Sequence, residues 1–232
     1  MHRTFASNPL EPRVSLYLYA HPFSSYCQKV LIALYENATA FDWKLLDGAE
    51  SPAMRELGKL WPLGRFPVLL DDAEVVVESS IIIEHLQMKH PGPVRLIPPQ
   101  APAALEVRAL DRFFDNYIST PMQKVVGDSL RPVEVRDPHG VAEAHRQLDT
   151  AYAWLERNLA GRAWACGSDF TMADCSAAPA LFYADWVHGI DPKFGWLRDY
   201  RSRLLDRPSF ARAVDEARPY RHYFPLGAPD RD

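Results

Sequence analysis

A short polar loop between a buried strand and a helix constrains the fold of this 232-residue chain more than any other stretch. The apolar and aromatic run from Val14 to Tyr19 predicts a buried strand, and apolar residues recur at helical spacing from Val30 to Tyr35. The first-turn N–H groups of a helix lack partners within it, and the helix dipole is positive there. The junction is therefore a place that can hold an anion or a thiolate.

The loop carries Ser24, Ser25, Tyr26 and Cys27 in a spacing that resembles the thioredoxin and glutaredoxin motif, in which two cysteines flank two residues. Because Ser24 stands at the first cysteine position, two-cysteine redox cycling is not available here. A serine hydroxyl can still donate a hydrogen bond to the thiolate of a ligand. The two serines can equally serve as a helix cap, and this stretch alone favours neither role.

The pattern up to residue 90 predicts one α/β domain, over residues 14–90. A strand–helix–strand unit implies a parallel pair, and two later short strands joined by Asp71-Asp72 imply an antiparallel hairpin. Ser51 followed by Pro52 is typical of a helix start. The order of elements is that of a thioredoxin-like fold, with strands at 14–19, 41–46, 68–70 and 74–77 and helices in 21–36, from 51 to about 60, and from 81 to before 91.

Residues 91–102 contain five prolines, which predicts an extended linker between two domains. Beyond the linker, apolar residues recur at helical spacing and no strand pattern competes, so residues 103–232 are predicted to form an all-α domain. Residues 1–13 are polar, with two prolines, and predict a loose lead-in rather than a secretory signal.

Composition narrows the class of protein further. Hydrophobic residues make up 47% and charged residues 24% of the chain, as in ordinary soluble domains. The net charge of −4 does not favour a nucleic-acid or anionic-membrane partner, and no apolar run has the length of a membrane span. Three scattered cysteines are too few for a disulfide framework or a zinc site, so we expect a reduced, cytoplasmic protein without a metal.

Three later motifs add to the loop. Phe66-Pro67 opens a strand, where proline is tolerated at an edge without any further role. Glu78-Ser79 opens the next helix, where Ser79 can be a cap or can bind a carboxylate. Phe170 precedes Thr171 and Asp174, which have the spacing of a capping box, so we expect Asp174 to act in folding rather than in chemistry.

Taken together, these motifs resemble the serine-type glutathione transferases, with a zeta- or theta-like loop, and the resemblance covers nearly the whole chain. It implies that Ser24, or Ser25, stabilises the thiolate of glutathione. It also implies that Arg65 and Phe66 bind glutathione next to a cis-Pro67, with the Phe66 backbone paired to the cysteinyl part.

The same resemblance implies that Glu78 meets the ammonium and Ser79 the carboxylate of the γ-glutamyl group. It further implies a second-substrate pocket for an electrophilic small molecule, lined by Tyr26, Phe113 and Tyr117, although core packing explains the two later aromatic residues equally well. Cys27 can have a lowered pKa near the helix start or can pack as a small apolar residue.

The expected activity is transfer of the glutathione thiol to an electrophilic carbon, or a glutathione-dependent isomerisation or dehalogenation, in detoxification. Glutathione is the expected co-substrate, and the family implies a homodimer. The alternative from another class is a glutathione-transferase-like module that binds ligands or proteins without catalysis.

Overall fold

The computed structural model describes residues 16–232, so the predicted lead-in over residues 1–13 lies outside the described residues. Four strands and nine helices are present in that part of the chain. The strands are β1 (Leu16–Ala20), β2 (Asp42–Leu45), β3 (Val68–Asp71) and β4 (Glu74–Val77). The helices are α1 (Ser25–Glu36), α2 (Pro52–Leu60), α3 (Ser79–Lys89), α4 (Ala101–Phe113), α5 (Thr120–Ser129), α6 (Pro138–Leu159), α7 (Met172–Val187), α8 (Gly195–Leu205) and α9 (Pro208–Ala217).

The four strands form one mixed sheet in the order β2-β1-β3-β4. β1 is parallel to β2 and antiparallel to β3, and β3 is antiparallel to β4. The parallel pair and the hairpin are thus confirmed. Leu18 in the centre of β1 is fully buried and lies opposite Trp43 on one side and Leu69 on the other. The sheet with its helices is thioredoxin-like, as the pattern of strands and helices predicts.

Helices cover both faces of the sheet. The apolar side of α1, which includes Val30, Leu31 and Leu34, is completely buried in the main core. On the other face, Leu57 of α2 packs with Tyr19 in a smaller cluster. Ser51 caps α2 by accepting the Met54 N–H at 3.2 Å, so the predicted Ser-Pro helix start is confirmed. Both faces of the sheet are therefore covered by helices. The packing of α1 in the core also positions the loop that precedes it.

The segment at residues 91–100 contains neither helix nor strand, and α4 begins at Ala101. Leu96 and Ile97 within it are buried. The Gln87 side chain donates to the Ile97 carbonyl at 2.9 Å and accepts the Ile97 N–H at 2.8 Å. This extended segment is thus fastened to α3. The division into domains at residues 90 and 103 stays a prediction.

The remainder of the chain is helical, as predicted. A π-helical turn at Phe114–Ser119 joins α4 and α5 without a break. α7 lies at the centre and is buried for most of its length. Its predicted capping box is confirmed, since the Asp174 carboxylate accepts the Thr171 N–H at 2.8 Å. Asp174 also accepts from the Tyr200 hydroxyl at 2.6 Å, and this fully buried carboxylate serves the fold.

No helix within residues 16–232 combines the length and the apolar character needed to cross a membrane.

Candidate functional site

A cleft of about 530 Å³ lies between the sheet domain and the helical region. One wall is formed by the loop before α1, the loop before β3 and the start of α3, and the other wall by α4, α5 and the π-helical turn. The residues that line it are Ser24, Tyr26, Trp61, Gly64, Arg65, Phe66, Pro67, Glu78, Ser79, Arg112, Asp115, Asn116 and Gln123. Seven of these residues were predicted from the sequence as site residues, and they come from three separate segments of the chain.

Ser24 is the N-cap of α1 and also lines the cleft. Its Oγ accepts the Cys27 N–H at 3.4 Å, which is a long bond, and its own N–H donates to the His21 carbonyl at 3.0 Å. A hydroxyl that accepts at its oxygen retains its proton for donation. Cap and site are therefore compatible roles for Ser24. Ser25, by contrast, is the first residue of α1, is buried and does not line the cleft.

Cys27 packs as a small apolar residue, which was one of its two predicted roles. Its side chain is fully buried, and burial raises the pKa of the thiol to about 12. A thiol with so high a pKa supplies almost no thiolate at neutral pH. Within the described residues, Cys27, Cys166 and Cys175 are all free.

Tyr26, two residues after Ser24, also lines the cleft. Burial and the nearby Asp115 carboxylate raise the pKa of its phenol group to about 12. The hydroxyl therefore stays protonated at neutral pH, where it can donate a hydrogen bond.

The Phe66–Pro67 peptide bond is cis, as the family resemblance implies. Pro67 is buried immediately before β3, while Phe66 is half-buried and Arg65 is exposed at the cleft. Within residues 16–232, the Phe66 N–H and carbonyl take part in no backbone hydrogen bond. A strand end with free polar groups can pair with an extended peptide-like ligand.

The start of α3 is open to the cleft. Glu78 is the N-cap of α3, yet its side chain does not cap the helix. Its φ of 70° lies in the left-handed region, which is costly for a residue with a Cβ and is found more often at functional sites. Ser79 is the first helical residue, is buried, and does not serve as the cap. The first-turn N–H groups are thus available to an anion.

A buried ion cluster supports this part of the cleft, and sequence reasoning missed it. The Lys29 Nζ lies 2.6 Å from Asp111 Oδ1, 2.9 Å from Asp115 Oδ2 and 2.9 Å from Ser80 Oγ, with the lysine side chain only 1% exposed. The half-exposed Arg112 contacts Asp111 and Asp115 at 2.8 and 2.6 Å. Two cations thus balance two carboxylates and join α1, α3 and α4.

The structure places Phe113 and Tyr117 away from Ser24, and of the three residues predicted for the second-substrate pocket only Tyr26 lies in the cleft. Phe113 and Tyr117 line a separate groove of about 410 Å³ between α4 and α6, where the Phe113 ring stacks on Trp154 with centroids 4.5 Å apart. Phe113 and Tyr117 lie outside the cleft because they are on a different face of the helix from the residues that line it. Arg112 and Asn116, each one position earlier, face the cleft instead.

The sequence matches two family models, "Glutathione S-transferase, N-terminal domain" over residues 18–94 and "Glutathione S-transferase, C-terminal domain" over residues 138–206. The chain therefore belongs to the glutathione S-transferase superfamily.

Individual relatives agree with this assignment at low identity. A zeta-class glutathione S-transferase from Euphorbia esula is 26% identical over 226 residues, covering 91% of this chain and 94% of the relative. A probable maleylacetoacetate isomerase from Caenorhabditis elegans is 25% identical over 206 residues, covering 87% and 94%. The crystal structure of a glutathione S-transferase from Methylobacterium radiotolerans, in complex with glutathione sulfonate, superposes with a TM-score of 0.72 at 28% identity, covering 86% and 94%.

Proposed function

We propose that this protein binds glutathione in the cleft and joins it through its thiol sulfur to an electrophilic carbon of a small molecule, or uses the thiol for a glutathione-dependent isomerisation or dehalogenation. The observation that carries the proposal is that three separate predicted binding elements lie in the same cleft. Ser24, the Phe66 backbone beside the cis-proline, and the open start of α3 at Glu78-Ser79 all face one cleft. The relative in complex with glutathione sulfonate supports the same choice of ligand.

The charges of the cleft suit glutathione, which carries two carboxylates and one ammonium. The exposed Glu78 carboxylate offers a partner for the ammonium. The Ser79 hydroxyl and the free N–H groups of α3 offer donors to the γ-glutamyl carboxylate, which the helix dipole also favours. Arg65, exposed at the same cleft, offers a cation for the second carboxylate.

In the proposed chemistry, the Ser24 hydroxyl donates a hydrogen bond to the glutathione sulfur and keeps its proton, while the thiol proton is released to solvent. A free thiol with a pKa near 8.5 is only a few per cent ionised at pH 7, and lowering its pKa by about 2 requires roughly 2.7 kcal/mol of differential stabilisation. One charge-assisted hydrogen bond of about 1.5–3 kcal/mol together with a helix dipole supplies that amount. The less basic thiolate is also a weaker nucleophile, which offsets part of the gain.

Isomerisation is the first specific reaction to examine, because the relatives include a zeta-class transferase and a probable maleylacetoacetate isomerase. In such a reaction the thiolate adds to a carbon of a conjugated double bond, the bond rotates, and the thiolate leaves again. Maleylacetoacetate and a simple chlorinated electrophile therefore form a suitable first pair of substrates.

Calorimetric titration with glutathione and a turnover assay with both substrates test the proposal together. We expect saturable binding of glutathione and turnover that depends on it. Binding without turnover of any electrophile would favour the non-catalytic binding module, and no binding at all would contradict the proposal. Oxidised glutathione serves as a control for the thiol.

We also propose that the protein forms a homodimer in the cytoplasm. The groove combines the aromatic residues Phe113, Tyr117 and Trp154 with a polar rim from α6, and Leu105, also on α4, is 68% exposed. An exposed apolar patch rimmed by polar residues is typical of a protein interaction site.

A further inference from the structure

A histidine–aspartate cluster lies at the far end of α3 from the cleft. Asp71 is the last residue of β3, His85 lies on α3, and His90 is the residue that ends this helix. Both imidazoles direct Nε2 at the same carboxylate oxygen, Asp71 Oδ2, from 2.8 Å for His85 and 2.7 Å for His90. The three potential ligand atoms all lie within 4.8 Å of one another.

We propose that Asp71, His85 and His90 bind one Zn²⁺ ion, the histidines through Nε2 and the aspartate through its carboxylate. Two imidazoles and one carboxylate are a ligand set typical of zinc, whereas Mg²⁺ and Ca²⁺ take oxygen ligands. A fourth position remains for water. The low number of cysteines, which predicts no cysteine-bound zinc, does not apply to this site. Its ligands are histidine and aspartate side chains that come from a strand end and a helix end.

The present geometry is close to a coordinated one. Zinc–ligand bonds of about 2.0–2.2 Å in a tetrahedral arrangement place neighbouring ligand atoms roughly 3.3 Å apart. Asp71 Oδ2 is already 2.7–2.8 Å from each imidazole nitrogen, and all three ligand atoms lie within 4.8 Å of one another. Each separation is therefore within about 1.5 Å of the tetrahedral value.

The surroundings supply what a metal site needs beyond its ligands. Glu74 Oε1 lies 3.9 Å from His85 Nδ1, and the Glu74 side chain is 60% exposed and free to turn. A zinc-bound histidine commonly donates its second ring N–H to such a carboxylate. His85 and Asp71 are largely buried, while the His90 side chain is 31% exposed, which gives an ion a path from solvent.

The site would fasten the β3–β4 turn to the end of α3. Ser79 begins the same helix about 9 Å from His85 and about 16 Å from His90 at 1.5 Å per residue, so zinc binding here is separate from the proposed glutathione chemistry. Since the ligands are assembled only in the folded chain, bound zinc stabilises the fold by mass action. The effect to measure is thus affinity and thermal stability, not turnover.

The test is a calorimetric titration of chelator-treated full-length protein with zinc chloride, followed by thermal unfolding with and without the metal. His90→Ala removes the most exposed ligand, and Asp71→Asn removes the carboxylate charge. His139→Ala, at an exposed position on α6, is the matched control. We expect one equivalent of zinc bound by the wild type and the control, with binding at least ten-fold weaker in both ligand variants.

Zinc should also raise the midpoint of thermal unfolding of the wild type and the control by more than it raises that of His90→Ala. The proposal is overturned if the wild type shows no saturable binding, which would leave a purely hydrogen-bonded cluster. Equal affinity in the wild type and His90→Ala would overturn it as well. If Asp71→Asn does not fold, His90→Ala alone decides, because its side chain is the least buried of the three.

Discussion

At Ser24, one oxygen accepts the Cys27 N–H as a helix cap while the same hydroxyl faces the cleft. The neighbouring Ser25 is buried and does not line the cleft. The chemistry proposed for the sulfur of glutathione therefore depends on a single hydroxyl proton. This makes the two adjacent serines a matched pair for mutation.

We predict that Ser24→Ala lowers turnover 10-fold or more, about 1.4 kcal/mol or above, with little change in glutathione affinity. The reason is that the hydrogen bond stabilises the thiolate rather than the peptide part of the ligand. Steady-state kinetics and calorimetry measure the two effects separately. Ser25→Ala is the control and should be milder. Equal losses in the two variants would show that Ser24 has no special role.

At the scale of single residues, the sequence alone does not determine which of the two serines faces the cleft. Both serines stand at the start of α1, and successive helical residues point in directions about 100° apart. Which of the two faces the cleft depends on where the helix begins, and that is fixed only by the β1 strand end and the packing of α1. From the sequence, the motif position favours Ser24, and its dominance over Ser25 stays a prediction.

At the scale of elements, the start of α3 combines an unusual backbone conformation with N–H groups that have no partner within the helix. Glu78 has a φ of 70° and leaves the helix uncapped by its side chain. We predict that Glu78→Gln and Ser79→Ala each raise the dissociation constant of glutathione roughly 10-fold, the loss of one charge-assisted bond. Calorimetric titration measures it.

Glu84→Gln is the control for that experiment, because Glu84 lies on the same helix but pairs with Arg108 outside the cleft. It should leave glutathione binding unchanged. Circular dichroism must show that all three variants keep their helices, which we expect because neither the Glu78 nor the Ser79 side chain caps α3. Unchanged binding in well-folded Glu78→Gln and Ser79→Ala would remove the γ-glutamyl position from α3.

The Lys29 cluster joins α1, α3 and α4 behind this helix start. We predict that Lys29→Met destabilises the protein by about 3–5 kcal/mol, because two buried carboxylates lose their buried cation. Lys124→Met is the control, since Lys124 and Asp137 form a half-exposed pair whose loss costs at most about 1 kcal/mol. Urea unfolding of both variants measures the difference, and similar midpoints for the two would contradict the role given to Lys29.

Local patterns were sufficient for the elements themselves. The βαβ unit, the hairpin, the Ser51 cap and the Thr171–Asp174 box all follow from short-range spacing, and the structure has each of them. Lys29 could not be found in this way, since its partner Asp115 is 86 residues distant in sequence. Nor could the cleft-facing side of α4, which depends on how the helical region packs against the sheet.

At the scale of the whole molecule, the cleft exists only because the helical region lies against the sheet domain. Ser24 and Glu78 belong to one part of the chain and Arg112 and Gln123 to the other, and all four line the same space. The second groove, with Phe113 and Tyr117, opens elsewhere, between α4 and α6. Mutations in the cleft and mutations in the groove are therefore expected to have different effects, the first on glutathione binding and the second on dimerisation.

We predict that Phe113→Ser together with Tyr117→Ser shifts the protein from dimer toward monomer, because this apolar groove is the proposed interface. Analytical ultracentrifugation of wild type and variant measures the shift. Glutathione affinity should change little, since neither residue lines the glutathione cleft. A wild type that sediments as a monomer at all concentrations would contradict the proposed homodimer, and an unchanged dimer in the variant would move the interface elsewhere.

The most direct measurement of the central claim is the pKa of the glutathione thiol when it is bound in the cleft, obtained from the ultraviolet absorbance of the thiolate as pH is varied. For the wild type we predict a pKa of about 6.5, compared with about 8.5 for a free thiol. For Ser24→Ala we predict a value higher than the wild-type value by about 1 or more, equivalent to about 1.4 kcal/mol. A bound thiol with the same pKa in both proteins would contradict the claim that Ser24 stabilises the thiolate.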